Sequence, residues 1–153
     1  MSPTLLEKLT FGLGKNGAGM KAWQAPSSLD RGRIGQVCLA MDRHGRGQAV
    51  WENAGHLWTQ NLGPGHEASY GRIPLGPGRN PRISANLEGR GLAAWIHEGS
   101  TDQSIVGLPF DPSQARASSR TLFDTFGAIH DLQVAVDRRG CAMVVWSHEC
   151  EDG

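Results

Sequence analysis

The chain has 153 residues, enough for one domain with a core of its own. Its 15 basic residues, 12 of them arginine, balance 15 acidic ones, so charge gives no case for nucleic acid or an anionic membrane as partner. No apolar run is long enough for a transmembrane helix, helix-period patterning is nearly absent, and the 21 glycines suit a fold of many tight turns. The start, Met1 to Phe11, lacks the basic region and long apolar stretch of a signal peptide. A cytoplasmic location is therefore expected, with a domain cut from a secreted parent as the alternative. Three cysteines, an odd and sparse set, do not make a disulfide framework. Cys38 and Cys141 fall within strand patterns and are expected as small buried residues, and Cys150 as an exposed thiol.

In chain order, the first strand signal is Leu9–Leu13, followed by a glycine-rich turn and a second signal over Met20–Leu29. Next comes a thirteen-residue block, Leu39–Trp51, then strand candidates at His56–Leu62 and Tyr70–Leu75. The block recurs as Ile83–Trp95, followed by candidates at Ser104–Phe110 and Ser119–Phe123. A third copy, Val134–Trp146, leaves seven residues to the end. The copies align without a gap as apolar, small, apolar, Asp/Asn, two free positions, Gly, free, small, free, two Ala/Val, Trp. Each block reads as a hairpin. Asp42, Asn86 or Asp137 closes an Asx turn, Gly45, Gly89 or Gly140 takes a positive φ, and the apolar flanks predict strands covered on both faces. The small residues Ala40, Ser84 and Ala135 mark a place where another backbone comes close.

Four antiparallel strands in each repeat of about 45 residues is the plan of a β-propeller blade. The blocks resemble a repeat common in bacterial β-propellers, of the form V-A-V-D-x-x-G-x-A-x-V-V-W, which Val134–Trp146 follows closely. The second copy departs from it, with Asn86 for Asp and Leu87-Glu88 in the turn. Residues 1–153 are accordingly expected as one all-β domain of about three blades. The N-terminal 38 residues match the last two strands of a blade, and the last block supplies only the first two. Closing three blades within one chain falls below the usual four to eight. The expectation is a homodimer: the C-terminal half-blade of one chain pairs with the N-terminal half-blade of another, giving a six-bladed ring. The competing reading is a fragment of a longer propeller.

Trp51, Trp95 and Trp146 share one repeat position and are expected to pack between sheets. Trp23 and Trp58 break the period and are candidate ligand contacts. The polar residues just past each repeat Trp are Glu52 and Asn53, His97 and Glu98, and Ser147, His148 and Glu149. With the segments 30–33, 76–80 (which holds Arg79) and 125–131, they are expected on one face, the candidate ligand face. His97 and His148 are equivalent, but a blade's width separates them and no HxxxH spacing exists, so no metal is expected. Glu98 and Glu149 are the carboxylates a glycoside hydrolase would need across a cleft. The Asp-x-x-Gly turn differs from the sialidase Asp-box: the preceding Ser/Thr is missing and the Trp comes six residues after the Gly. A nucleophile elbow, a P-loop and a dinucleotide fingerprint are all absent, and Gly17–Ala22 is too weak a pattern to count. No catalytic residue and no cofactor is assigned. The leading expectation is a non-catalytic recognition module for a protein or glycan ligand. The alternatives are a glycosidase- or lactonase-like hydrolase with His and Glu at the channel mouth, and an architectural assembly unit.

Overall fold

A computed structural model describes residues 4–8, 27–63, 71–114 and 117–150. The protein is all-β, with twelve strands among the described residues: β1 (Thr4–Lys8), β2 (Ser27–Gly32), β3 (Ile34–Met41), β4 (Gly47–Asn53), β5 (His56–Leu62), β6 (Ile73–Pro77), β7 (Arg79–Ala85), β8 (Gly91–Glu98), β9 (Gln103–Phe110), β10 (Arg120–Thr125), β11 (Ile129–Val136) and β12 (Ala142–His148). They form four antiparallel sheets in chain order: β1-β2, β3-β4-β5-β6, β7-β8-β9-β10 and β11-β12. The two middle sheets have four strands each and the two end sheets have two. Within the described residues, β12 is not paired with β1.

The predicted strand His56–Leu62 is β5 residue for residue. The fourth strands sit later than the patterns placed them, at Ile73–Pro77 and Arg120–Thr125. The N-terminal expectation is corrected in part. Leu9–Leu13 and Met20 to Pro26 lie outside the described residues, and the strand that pairs with Ser27–Gly32 is Thr4–Lys8.

The three hairpin turns are built alike. Asp42 Oδ1 accepts the His44 and Arg46 amides at 2.8 and 3.0 Å. Asn86 Oδ1 accepts those of Glu88 and Arg90, both at 3.0 Å, and Asp137 Oδ1 those of Arg139 and Cys141, both at 2.8 Å. One side-chain oxygen thereby satisfies two amides that the turn takes out of the ladder. Gly45, Gly89 and Gly140 follow at φ 78°, 85° and 88°, a region where a Cβ is strained.

The sheets pack face to face through two cores. Val50 and Leu57 of the second sheet meet Ala93, Trp95 and Leu108 of the third. On its other face, the third sheet sets Ala94, Ile96 and Ile105 against Ile129 and Leu132 of the fourth. Period-two alternation sends neighbours to opposite faces, so Ala93-Ala94-Trp95-Ile96 is buried throughout. Gly78 lies where a Cβ would meet Trp95 and the Ile96 carbonyl at 2.7 and 2.9 Å, so the β6–β7 link passes directly over the core.

The inner strands β3, β7 and β11 are also linked side by side. Cys38 Sγ donates to the Pro81 carbonyl at 2.8 Å, and Arg82 Nε to the Leu132 carbonyl at 2.9 Å. Donors and acceptors occupy equivalent repeat positions. Cys38 is half-buried, and burial pushes its thiol above the ordinary range although the Arg82 charge pulls the other way. The expected burial of Cys141 is corrected: it precedes β12 at the open end of the chain and is exposed, as is Cys150.

Equivalent positions differ in exposure along the array. Pro81 and Leu132 are fully buried, whereas Val37, their counterpart in β3, is 43% exposed. Val50 and Ala94 are fully buried, whereas their counterpart Val145 in β12 is 55% exposed. Leu39 and Met41 beside Val37, and Met143 beside Val145, are exposed as well.

Candidate functional site

Two ends of the sheet array carry the loops. At one end the turns after β4, β8 and β12 lie beside the links into β3, β7 and β11. The Ala54 amide donates to the Arg33 carbonyl, the Gly78 amide to that of Gly55 and the Glu149 amide to that of Ala128, at 3.1, 3.1 and 2.9 Å. This joins the segments that sequence placed on one face.

The candidate residues at this end are largely engaged with one another or with backbone. Asn53 donates to Asp30 Oδ2 and to the Arg31 carbonyl, at 2.9 and 3.2 Å. Glu52 is half-buried and lies over Gly35. Trp58 is half-buried too, with the Arg72 guanidinium 4.2 Å from its ring centroid, a cation–π contact. Arg79 donates to Glu98 Oε1 at 2.5 Å and to Gln103 Oε1 at 3.2 Å, and the same Gln103 oxygen accepts the Ile129 amide at 2.7 Å. His97 Nδ1 lies 3.0 Å from the Pro77 carbonyl. His148 tilts against Phe123 with ring centroids 5.2 Å apart, and its Nε2 lies 3.8 Å from Cys150 Sγ. Glu149 meets His130 at 3.4 Å. Arg79 and Glu98 are thus brought together, and Asn53 and the Arg72 that covers Trp58 share one further partner, Asp30. Among the described residues no three His, Cys, Asp or Glu side chains form a metal-binding group.

Asp30 is the residue whose role sequence reasoning missed. Its carboxylate is almost fully buried and accepts four hydrogen bonds: from Trp51 Nε1 at 2.8 Å, Asn53 at 2.9 Å, the Arg31 amide at 2.8 Å, and Arg72. Burial alone would raise its pKa. The bonds from Trp51, Asn53, Arg31 and Arg72 outweigh that and hold it below the ordinary carboxylate range. Through Asp30 the two-stranded first sheet is tied to β4 of the second. A buried indole N–H requires an acceptor; an acidic residue just before β3 is the sequence signal for it.

The opposite end holds the Asx turns and a cavity of about 230 Å³ between the second and third sheets. Its wall carries Gln48, Thr59 and Asn61 from β4 and β5, and Asp42 and Arg46 from the first turn. Asp111 closes it, and Ile73, Leu108 and Phe110 supply apolar surface. Its charges are matched within the protein: Arg46 pairs with Asp42 at 2.7 Å, and Arg90 with Asp111 at 3.3 Å. Burial would raise Asp42, but the Arg46 and His44 amides and the Arg46 guanidinium lower it overall. Asp111 is lowered first by the Ser113 hydroxyl and amide. None of the candidate residues read from sequence lines this cavity.

No protein-family model matches the chain, and no curated protein matches it.

Proposed function

We propose that the chain is half of a six-bladed β-propeller, completed by a second copy, and that the ring serves as a recognition module rather than as a catalyst. One observation carries the ring: at each end of the array an apolar residue is exposed at a position that is buried in the other repeats, Val37 against Pro81 and Leu132, and Val145 against Val50 and Ala94. Among the described residues, Val37, Leu39 and Met41 on β3 have no inner strands before them, since the first sheet has only two strands, and Met143 and Val145 on β12 have no sheet after them. The two deficits complement each other. The fourth sheet has an inner pair of strands, and the first sheet has the outer pair tied by Asp30 to the sheet that follows. Setting β11-β12 of one copy beside β1-β2 of another completes a four-stranded sheet and covers both faces. It also gives the edges of β1 and β12 a partner. Gln133 occupies the repeat position of Cys38 and Arg82, and in this arrangement it donates to the Val37 carbonyl of the second copy.

The recognition reading is supported by the state of the candidate residues. Arg79, Glu98 and Asn53 hold loops and links together, as the Asp-Gly turns hold the other end. The result is a rigid frame that presents fixed loops at both ends, a construction suited to binding.

Light scattering tests the ring. The expected mass is twice the 16.5 kDa of one chain. Leu39→Asp, which places a charge on the joint but at a site exposed in the single chain, is expected to weaken association by about 100-fold or more while leaving the strand signal intact. A wild-type mass of one chain overturns the ring. A glycan array tests the recognition reading.

A further inference from the structure

We infer that the cavity between the second and third sheets is a binding site for a neutral sugar ring, an inference that rests on the recognition reading but needs only one chain. The first wedge, between the second and third sheets, differs from the second, between the third and fourth, at equivalent strand positions. In the first wedge the positions facing the next sheet at the Asx-turn end are Gln48, paired across the hairpin with Asn61, and Thr59, paired with Val50. In the second wedge the same positions are Leu92, paired with Pro109, and Gly107, paired with Ala94. In the second wedge Leu92 is buried and Leu122 of the same sheet lies against Gly107, where a Cβ would meet it at 2.8 Å, while Pro109 and Leu122 are exposed beside the two-stranded fourth sheet. The same hairpin therefore forms with apolar residues at these positions, so its strand pairing does not require the polar set that lines the first wedge.

The free hydrogen-bonding groups then select the ligand. Both oxygens of Asp42 are occupied, one by two amides and one by Arg46. One oxygen of Asp111 accepts the Ser113 amide and hydroxyl, and the other faces Arg90. The Thr59 hydroxyl donates to the Ala49 carbonyl at 2.9 Å and accepts Gln48 Nε2 at 3.0 Å. What is left is the Gln48 carbonyl oxygen and the whole Asn61 carboxamide, which makes no hydrogen bond among the described residues. These are neutral groups, and Asn61 can donate and accept at once. An ion entering here finds its counter-charges already paired. A sugar presents vicinal hydroxyls that an amide can bind from both sides, and a C–H face that suits Ile73, Leu108 and Phe110.

The test uses the wild-type chain and a panel of neutral hexoses, 6-deoxyhexoses and N-acetylhexosamines, with hexuronates as charged controls. Binding is followed by titration with amide NMR shifts. At least one neutral sugar is expected to bind with a Kd of about 1 mM or tighter, moving the side-chain amide signals of Gln48 and Asn61. Asn61→Ala and Gln48→Leu, the latter copying the second wedge, are each expected to weaken it about tenfold. Thr101→Ala, at an exposed position of the β8–β9 turn at the other end, is expected to leave it unchanged. Sugar binding that survives both cavity variants overturns the site while leaving the recognition reading intact. No binding by any neutral sugar, or tighter binding of the hexuronates, overturns the inference; if larger glycans on the array also fail, the glycan form of the recognition reading falls with it.

Discussion

The third sheet and the fourth contain nearly the same hairpin, and they end in opposite conditions. In β8 the run Leu92–Ile96 is buried on both faces because a sheet stands on either side. In β12 the matching run Met143–Ser147 is open on one face, and even Trp146, tilted against Phe123 with ring centroids 4.9 Å apart, is only half-buried. Sequence similarity thus sets the local hairpin, while burial is set by how many neighbours the hairpin has. The motif is a unit of shape that reaches a stable state only in an array.

That contrast gives the largest expected effect. Trp95→Ala is expected to destabilise the chain by about 3–5 kcal/mol, and Trp146→Ala by about half as much in a monomeric Leu39→Asp background. Urea unfolding measures both, and equal losses would break the comparison. A smaller effect is expected at Gly78, where a Cβ would strike Trp95 and a backbone carbonyl that cannot turn away. Gly78→Ala is expected to cost about 2–3 kcal/mol, whereas Gly71→Ala, with open space around it, is expected to change little in the same melts.

The smallest effect concerns the joint between the first and second sheets. The Asp30 pKa is lowered in the folded chain, so its contribution to stability is complete above the unfolded carboxyl value. It is lost as pH falls through the folded one. Asp30→Asn is expected to cost about 1–2 kcal/mol at pH 7 and to flatten the fall of melting temperature between pH 5 and pH 2 (about the carboxylate range). An unchanged acid profile would show that the first sheet is held by something other than this carboxylate.

Much of the fold was legible because each hairpin carries its own chemistry. An Asp or Asn placed three residues before a Gly announces a turn whatever surrounds it, and all three turns formed as read. The half-sheets at both ends were legible from counting strands. The outer strands were less so, since Ile73–Pro77 and Arg120–Thr125 follow loops of free length and carry no fixed turn signal. The candidate site was the least legible part. His97, Glu98 and Arg79 look like ligand groups in sequence because partners fifty residues away, such as the Ile129 carbonyl facing Arg79, are invisible there. Gln48 and Asn61 look like ordinary outward strand positions. Only the register that sets them opposite Leu92 and Pro109 as equivalents makes their polarity unusual.

The links between inner strands have a direction. Cys38 reaches forward to Pro81, Arg82 forward to Leu132, the Arg43 amide forward to the Leu87 carbonyl and Asn86 forward to the Arg138 carbonyl. In each of these the donor belongs to the earlier sheet and the acceptor to the later. The array is therefore vectorial, with a carbonyl-bearing head at β3 and a donor-bearing tail at β11. Two heads brought together would set acceptor against acceptor, and two tails donor against donor. In the proposed ring only head meets tail without leaving such groups unanswered, so the polarity of these few bonds is expected to disfavour any other joint.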